Sequence, residues 1–271
     1  MQAGLKGARA LITGGTTGIG LGIAEALATE GVDIVVASRR RRLEALVSLR
    51  GLGVHAEWIQ ADVSSEEGVI RMMSDAQKTF GGLDLFVNNA AGTWHEPITH
   101  LSNASWSRTL ATNLSACAFG CRQAAQLFIA QGHGAILIVG STAAHVPLYR
   151  ESAYRVSKAG LKALMEVVAI ELAPYSIRVN LLTPGAFVTE LTKDLSPRQM
   201  GGALIPLRRP GQVAELGAAA VLLLSDKLSS YTTGSELVVD GGFRLRPMEL
   251  FSDEELSDLN RGLPTAGSKG T

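Results

Sequence analysis

Short runs of apolar, mostly β-branched residues alternate along the chain with longer segments of helical periodicity. The runs predict seven strands, over residues 8–13, 33–38, 55–60, 83–90, 134–141, 177–184 and 235–240. They are almost continuously apolar, as is typical of parallel strands buried on both faces. Because a helical segment separates each run from the next, we predict an α/β fold with right-handed crossovers and a doubly wound, mostly parallel sheet.

The pattern also divides the chain into one domain and a tail. No Pro/Ser-rich linker precedes residue 243, so residues 1–243 are predicted to form a single domain and 244–271 a C-terminal extension. In the extension, "SDEE" from Ser252 resembles a helix cap, and Phe251, Leu256 and Leu259 form an apolar stripe. We expect this stripe to cover a substrate pocket or to pack as a simple appendage, with a frayed end beyond it.

Composition excludes several classes of partner. The 25 basic and 25 acidic residues cancel, so no global field attracts the chain to nucleic acid or to an anionic membrane. The apolar runs are shorter than the roughly 20 residues that a membrane span needs, and no targeting segment precedes the first strand. Cys117 and Cys121, four apart, suit neither a disulfide nor a zinc site, so we expect packing residues and a cytoplasmic protein.

A glycine-rich loop joins the first predicted strand to the first helix. It reads "TGGTTGIG" from Thr13 to Gly20, with glycines at 14, 18 and 20. Such a loop lets the backbone approach a pyrophosphate, whose charge then lies at the helix N-terminus. The context of strand, loop and helix favours a dinucleotide site over simple turn-forming glycines.

A tyrosine and a lysine occupy one face of a later predicted helix. In "ESAYRVSKAGLKAL", Tyr154 precedes Lys158 by four residues and follows Ser141 by 13. An isolated pair of this kind is usually a half-buried tyrosine beside a surface lysine. Tyr149 is a weaker candidate, because the residue four positions later is Ala153.

Taken together, these motifs resemble the short-chain dehydrogenase/reductase family, over roughly residues 5–243. "NNAAG" (88–92), Asn113, "PG" (184–185) and "VVDGG" (238–242) follow in the family's order. The resemblance implies a Rossmann-type fold, a homotetramer, and an oxidoreductase that interconverts a carbonyl and a secondary alcohol. It assigns catalytic roles to Asn113, Ser141, Tyr154 and Lys158, with Tyr154 as the general acid/base and Asn113 ordering a water beside Lys158.

The same resemblance, with the glycine loop, assigns the nicotinamide cofactor to a set of residues at the ends of the strands. They are Thr13, Gly14, Thr16, Thr17, Gly18, Ile19, Gly20, Ser38, Arg39, Asp62, Val63, Asn89, Ala90, Ala91, Gly92, Tyr154, Lys158, Pro184, Gly185, Val188 and Thr189. Ser38 stands where an NAD-binding fold needs a carboxylate, and Arg39 suits a 2′-phosphate. We therefore expect NADP(H), with NAD(H) as the alternative.

A free phenol titrates too high to act as a base at neutral pH. We expect the Lys158 ammonium and the positive nicotinamide ring to lower the pKa of Tyr154. The substrate is expected to contact Trp94, His95, Ala143, His145 and Phe187, under a lid at residues 190–209. No metal ligand set is expected.

This mixed lining does not select one substrate. A 3-oxoacyl thioester reductase and an NAD-dependent sugar or polyol dehydrogenase share the same core motifs. A nucleotide-sensing regulator on the same fold is the non-enzymatic alternative, although it would be expected to lack Tyr154 or Lys158.

Overall fold

A computed structural model describes residues 3–190, 193–194 and 204–245. The capped helix expected from Ser252, its stripe of Phe251, Leu256 and Leu259, and most of the lid expected at 190–209 lie outside these residues. So does the chain after residue 245, so the proposed extension is not tested.

A seven-stranded sheet forms the centre of the described part of the chain, in the order β3-β2-β1-β4-β5-β6-β9 with every neighbouring pair parallel. Two further strands, β7 and β8, pair with each other beside it. The strands are β1 Arg9–Thr13, β2 Asp33–Ser38, β3 Ala56–Gln60, β4 Leu85–Asn88, β5 Gly134–Val139, β6 Ile177–Pro184, β7 Phe187–Val188, β8 Gly211–Gln212 and β9 Glu236–Val239. The predicted doubly wound parallel sheet is confirmed, and the β7–β8 pair was not predicted.

Helices cover both faces of this sheet. They are α1 Gly18–Thr29, α2 Leu43–Gly51, α3 Glu66–Phe80, α4 Asn103–Leu110, α5 Ala116–Gln131, α6 Ser152–Leu172, α7 Val213–Leu224 and α8 Asp226–Ser229. One apolar cluster packs α1, α2 and α7 against the sheet, and a second packs α3, α5 and α6 against the opposite face. This arrangement explains why the strands are apolar throughout. No helix in the described ranges is long and apolar enough to cross a membrane.

The sheet topology brings the motifs together at one edge. β1 lies beside β4, yet the chain leaves β1 for β2 and leaves β4 for β5, in opposite directions along the sheet. The crevice between the two carboxyl ends is where doubly wound folds bind ligands. The glycine loop follows β1, "NNAAG" overlaps the end of β4, and Ser141 follows β5, so all three meet at this crevice.

Candidate active site

Thr13 and Asn89 lock the ends of β1 and β4 together. The Thr13 hydroxyl accepts hydrogen bonds from the backbone N–H groups of Asn89 and Ala90, both at 2.9 Å. In return the Asn89 side chain donates to the Thr13 carbonyl at 2.8 Å. The two motifs predicted to bind one cofactor are therefore one hydrogen-bonded unit.

The glycines of the loop are required by this close packing. Gly14 has a positive φ of 66°, and a Cβ on it would lie 2.9 Å from the Asn89 amide nitrogen. A Cβ on Gly20 would lie 2.4 Å from the Gly14 carbonyl oxygen, closer than side chains ever approach. The loop can hold this shape only without side chains at these positions.

A cleft of about 510 Å³ opens beside the glycine loop. It is bordered by the loop, by the starts of α1, α2 and α7, and by the chain that follows β7. Its lining residues are Thr16, Thr17, Gly18, Leu21, Gly22, Glu25, Arg42, Glu44, Ala45, Thr189, Glu190 and Val213. Four of the predicted cofactor residues, Thr16, Thr17, Gly18 and Thr189, thus border one space.

The remaining predicted cofactor residues divide between the crevice and the core. Ile19 and Val63 are half-buried against the apolar clusters, and their roles in cofactor binding stay predictions. Gly185 donates its N–H to the Val239 carbonyl at 2.9 Å. Pro184 ends β6, Val188 lies in β7, and Ala90 to Gly92 form the loop after β4.

Arg39 is exposed at the carboxyl end of β2, and its positive charge contributes to lowering the pKa of Asp62 at the end of β3. The hydrogen bonds from Ser64 are the larger cause of that lowering. Ser38 is engaged by its neighbours: its hydroxyl donates to the Arg40 carbonyl and accepts from the Trp58 indole, at 2.8 and 2.9 Å. The β2 end therefore presents a guanidinium, not a carboxylate.

Ser141 caps a short helix and influences the pKa of the Tyr154 phenol. Its Oγ accepts from the Ala143 N–H at 3.1 Å, at the start of a 3-10 turn over Thr142–Ala144. Hydrogen bonding with the same hydroxyl acts to lower the pKa of Tyr154. The turn thus fixes Ser141 beside Tyr154.

Lys158 lies almost wholly inside the protein, 3% exposed. Its Nζ donates to the Val139 carbonyl at 2.9 Å and lies 5.9 Å from the centre of the Tyr154 ring. Burial lowers the pKa of Lys158 to about 8, since desolvation penalises the ammonium. The predicted pair on one helix face is present, and this lysine is a buried cation rather than a surface one.

The pKa of Tyr154 departs from the sequence-based expectation. Burial of the phenol raises it, hydrogen bonding with Ser141 opposes that rise, and the charge of Glu151 adds to it. The expected lowering by Lys158 is wrong for the chain alone, because sequence spacing gives the neighbour but not the desolvation. The chain's own groups hold Tyr154 in its protonated form at neutral pH.

Asn113 is buried in a π-helical segment, Ala111–Ser115, between α4 and α5. Its Oδ1 accepts from the Gly92 N–H at 2.8 Å, and its Nδ2 donates to the Gly92 carbonyl at 2.9 Å. The same Nδ2 donates to Ser157 Oγ at 3.1 Å. Asn113 therefore fixes the loop after β4; the water beside Lys158 stays a prediction.

Two of the predicted pocket residues, Trp94 and His95, lie on the loop after β4. The Trp94 ring packs against Gly92, where a Cβ would lie 2.5 Å from it, and Arg108 stacks on the ring at 5.4 Å from its centre. His95 is exposed, with Nδ1 3.4 Å from a Glu151 carboxylate oxygen.

The other three predicted pocket residues are directed elsewhere. Ala143 is buried, with its carbonyl accepting from Arg155 at 2.8 Å. His145 Nε2 lies 2.6 Å from Glu236 Oε1 on the edge strand β9, so that nitrogen is not available to a substrate hydroxyl. Phe187 packs in the core and borders a small cavity of about 80 Å³ with Gly211. The β7–β8 pairing buries Phe187, and the pocket roles of Phe187 and His145 stay predictions.

Two residues near Tyr154 were not predicted, Glu151 and Ser157. Ser157 donates to the Tyr154 carbonyl at 2.7 Å and links it to Asn113. Glu151 directly precedes α6 and acts on the phenol by its charge. An acidic residue three positions before Tyr154 was visible in the sequence, but nothing there showed that it is half-buried.

Comparison with known proteins places this geometry among enzymes. A family model described as enoyl-(acyl carrier protein) reductase matches residues 14–244. Glucose 1-dehydrogenase 2 of Bacillus subtilis is 34% identical over 258 residues, spanning 92% of this chain and 100% of its own. The structure of a short-chain type dehydrogenase/reductase from Mycobacterium marinum superposes with a TM-score of 0.83 at 35% identity, covering 89% of this chain and 97% of its own. The NADPH-dependent 3-quinuclidinone reductase of Rhodotorula rubra gives 0.82 at 32% identity, covering 90% and 94%.

Proposed function

This chain belongs to the short-chain dehydrogenase/reductase family and is a carbonyl/alcohol oxidoreductase. We propose that it transfers hydride between NADP(H) and a small carbonyl compound or secondary alcohol. In this proposal Tyr154 is the general acid/base. One observation carries the proposal. The buried Lys158, held by the Val139 carbonyl at the carboxyl end of β5, lies 5.9 Å from the centre of the Tyr154 ring, and Ser141 follows the same strand.

The proposed chemistry needs one proton and one hydride. When bound, the nicotinamide supplies the hydride to the carbonyl carbon or accepts it from the alcohol carbon. In reduction, Tyr154 donates its phenolic proton to the substrate oxygen, which Ser141 holds by a hydrogen bond. In oxidation the phenolate accepts that proton. Because burial raises the pKa of Tyr154, the chain favours the protonated form that reduction uses.

Lys158 contributes a fixed charge and two further donors. One N–H is occupied by the Val139 carbonyl, which holds the ammonium in place. We assign one of the two remaining N–H groups of Lys158 to the nicotinamide ribose and the other to the side that faces Tyr154. With a pKa of about 8, Lys158 is mostly charged at neutral pH and loses its charge in mild alkali.

The residues at the crevice fit a dinucleotide. The loop after β1 passes so close to Asn89 that a side chain at Gly14 or Gly20 would collide with it. The N-terminus of α1 follows this loop, where a pyrophosphate is stabilised by backbone N–H groups and the helix dipole. Thr17 is the N-cap residue of α1, and within the described part of the chain its side chain makes no capping hydrogen bond, so its hydroxyl is assigned to the ligand.

Arg39 supports NADP(H) over NAD(H). It is exposed at the end of β2, where a carboxylate would hold the ribose 2′-hydroxyl in an NAD enzyme. A guanidinium there can grip a 2′-phosphate through paired hydrogen bonds. The Rhodotorula rubra relative is NADPH-dependent by name, which agrees with this choice.

Two substrate alternatives stay open. Likeness to a glucose 1-dehydrogenase supports a sugar or polyol dehydrogenase, and the matching family description supports a thioester reductase. The nucleotide-sensing regulator is not retained, because the chain belongs to a family of oxidoreductases and keeps Tyr154 and Lys158.

The proposed assembly is a homotetramer in the cytoplasm. Apolar side chains on the outer faces of α5 and α6 are exposed in the single chain, among them Ile129, Val156, Val167 and Ile170. Burial of these faces between subunits would remove them from water. Cys117 and Cys121 are buried free thiols, which agrees with a reducing compartment.

The direct test is a panel of ketones, aldehydes, 3-oxoacyl thioesters and polyols assayed with NADPH, NADH and their oxidised forms. We expect turnover of a carbonyl or secondary alcohol, with NADPH used more efficiently than NADH. Absence of turnover across the panel with both cofactors would contradict the proposal.

A further inference from the structure

A carboxylate on the edge strand β9 is contacted by three other parts of the chain. Glu236 Oε1 accepts a hydrogen bond from the Thr183 hydroxyl of β6 at 2.7 Å and lies 2.6 Å from Nε2 of His145, which follows β5. The second oxygen, Oε2, lies 3.3 Å from Lys162 Nζ on α6. The Glu236 side chain is only 11% exposed, so these groups replace most of its hydration.

The charge of Glu236 fixes the direction of the hydrogen bond with His145. Burial acts to raise the pKa of Glu236, but hydrogen bonds from His145, Thr183 and Lys162 bring it below 4.5, so the carboxylate is ionised at neutral pH. An ionised carboxylate can only accept hydrogen bonds, and His145 therefore donates from Nε2. Both hydrogen bonds to Oε1 are charge-assisted, which makes them stronger than bonds between neutral groups.

The first of these bonds acts on the backbone just before Ser141. Gly140 donates its N–H to the Leu182 carbonyl at 2.8 Å, and a Cβ on Gly140 would lie 2.8 Å from Thr183 Oγ1. The Thr183 hydroxyl therefore lies directly against Gly140. Its bond to Glu236 fixes its orientation there.

The second bond acts on the backbone just after Ser141. His145 ends the 3-10 turn that Ser141 begins: Ala144 N–H donates to the Ser141 carbonyl at 3.0 Å, and His145 N–H donates to the Thr142 carbonyl at 2.9 Å. The Ser141 Oγ itself accepts from the Ala143 N–H at 3.1 Å. The position of this hydroxyl consequently depends on the position of the turn.

We propose that Glu236 is a positioning residue for the reaction, whose Oε1 holds both ends of the segment 140–145 and thereby keeps the Ser141 hydroxyl where it meets the substrate oxygen. This deepens the proposed function and rests on the role of Ser141 in it. Glu236 acts through His145 and Thr183, without touching the substrate or the cofactor.

A double-mutant cycle tests whether Glu236 acts through Ser141. Glu236→Met keeps the side-chain length and removes both oxygens, so kcat should fall by about 10- to 100-fold, since small displacements of a positioned group are costly. Ser141→Ala should lower kcat by about 10²- to 10³-fold. Adding Glu236→Met to Ser141→Ala should then change kcat by less than about twofold. An unchanged kcat in Glu236→Met, or an equal fall in both backgrounds, would overturn the proposal.

Two further substitutions at this carboxylate separate positioning from general damage. Glu236→Gln keeps an oxygen that can accept from Thr183 and His145, so it should restore most of the turnover lost in Glu236→Met. Lys162→Met removes the contact with the other oxygen and is the matched control, which should keep wild-type kcat. The KM for NADPH should stay within a few-fold of wild type in every variant, because the segment 140–145 is separate from the glycine loop.

Hydrogen exchange measured by mass spectrometry provides a readout independent of turnover. Each variant is first shown to be folded by circular dichroism. Exchange over residues 140–146 should be faster in Glu236→Met than in wild type or Lys162→Met, and exchange over residues 13–20 should be unchanged. Equal exchange over 140–146 in all three proteins would show that Glu236 does not hold this segment.

Should Glu236→Met fail to fold, the two donors are removed one at a time. Thr183→Val and His145→Phe each leave one bond to Oε1, and each should lower kcat in the wild-type background but not in Ser141→Ala. A fall of equal size in both backgrounds would again refute the proposal. If instead Ser141→Ala alone keeps wild-type turnover, the role of Ser141 in the proposed function fails, so the two failures are distinguishable.

Discussion

Asn113 and Gly92 hold each other through a reciprocal pair of hydrogen bonds, from Gly92 N–H to Asn113 Oδ1 and from Asn113 Nδ2 to the Gly92 carbonyl. The pair joins the loop after β4 to the π-helical segment between α4 and α5. Through Ser157, it continues to the Tyr154 backbone. The loop after β4 and the helix that carries Tyr154 are therefore linked through one amide side chain.

Replacing Asn113 with Ala should destabilise the fold as well as impair activity. The Gly92 N–H and carbonyl would lose their partners, at a cost of about 1–3 kcal/mol for each group left buried. We expect the free energy of unfolding to fall by about 2–4 kcal/mol in a denaturant titration. Asn103→Ala, at an exposed position on α4, should change it little, and an equal loss in both variants would refute the role of the amide.

Arg39 should decide between the two nicotinamide cofactors. Arg39→Ala removes a charge-assisted contact with the 2′-phosphate, so the KM for NADPH should rise by about 10- to 150-fold. The KM for NADH should change little. The control is Arg41→Ala, since Arg41 lies over the Trp58 ring. Equal losses for NADPH and NADH in Arg39→Ala would show that the phosphate assignment is wrong.

The strands and the glycine loop were predictable because their signals are local. Continuous apolar runs mark doubly buried strands, and the loop glycines form a motif within a few residues of Thr13, although the contact that requires Gly14 is with the distant Asn89. The Tyr154–Lys158 pair was predictable from helical spacing. The pKa of Tyr154 was not, since it depends on how much protein covers the phenol.

Contacts between residues far apart in the chain could not be predicted from the sequence. His145 and Glu236 are 91 positions apart and meet because β9 pairs with β6, whose Thr183 also donates to Glu236 at 2.7 Å. Phe187 is buried by the pairing of β7 with β8, two strands too short to show a pattern. The π-helical turn at Asn113 has no sequence signature that we could use.

The Glu236 cluster should make stability depend on pH. Burial alone would raise the pKa of Glu236, but hydrogen bonds from His145, Thr183 and Lys162 bring it below its ordinary value of 4.5. A lowered carboxyl pKa stabilises the fold above the unfolded pKa, and this stabilisation is lost as pH falls through the folded value. Glu236→Gln should therefore unfold at lower denaturant than wild type at pH about 7, and this difference should shrink below about pH 4. A difference independent of pH would contradict this.

Lys158 should show a pH dependence of the same sign, but in the alkaline range. Its pKa is lowered from 10.5 to about 8, so between these values the unfolded chain binds a proton that the folded chain does not. Stability contributed by this residue therefore rises with pH through that window. Relative to Lys158→Met, which cannot titrate, wild type should gain stability between about pH 8 and 9.5 in denaturant titrations. Parallel curves for the two proteins would show that Lys158 is not desolvated. Lys158→Met should also lose both cofactor affinity and turnover.

The measurement that tests the central claim most directly is the turnover of Tyr154→Phe on the best substrate of the panel, together with its affinity for NADPH. The ring, the helix and the cofactor site should persist, so NADPH should bind within a few-fold of wild type. Turnover should fall by about 10²- to 10⁴-fold, since the phenolic proton is gone. If Tyr154→Phe retains more than about a tenth of wild-type turnover, another group carries the proton and the assignment of Tyr154 is wrong.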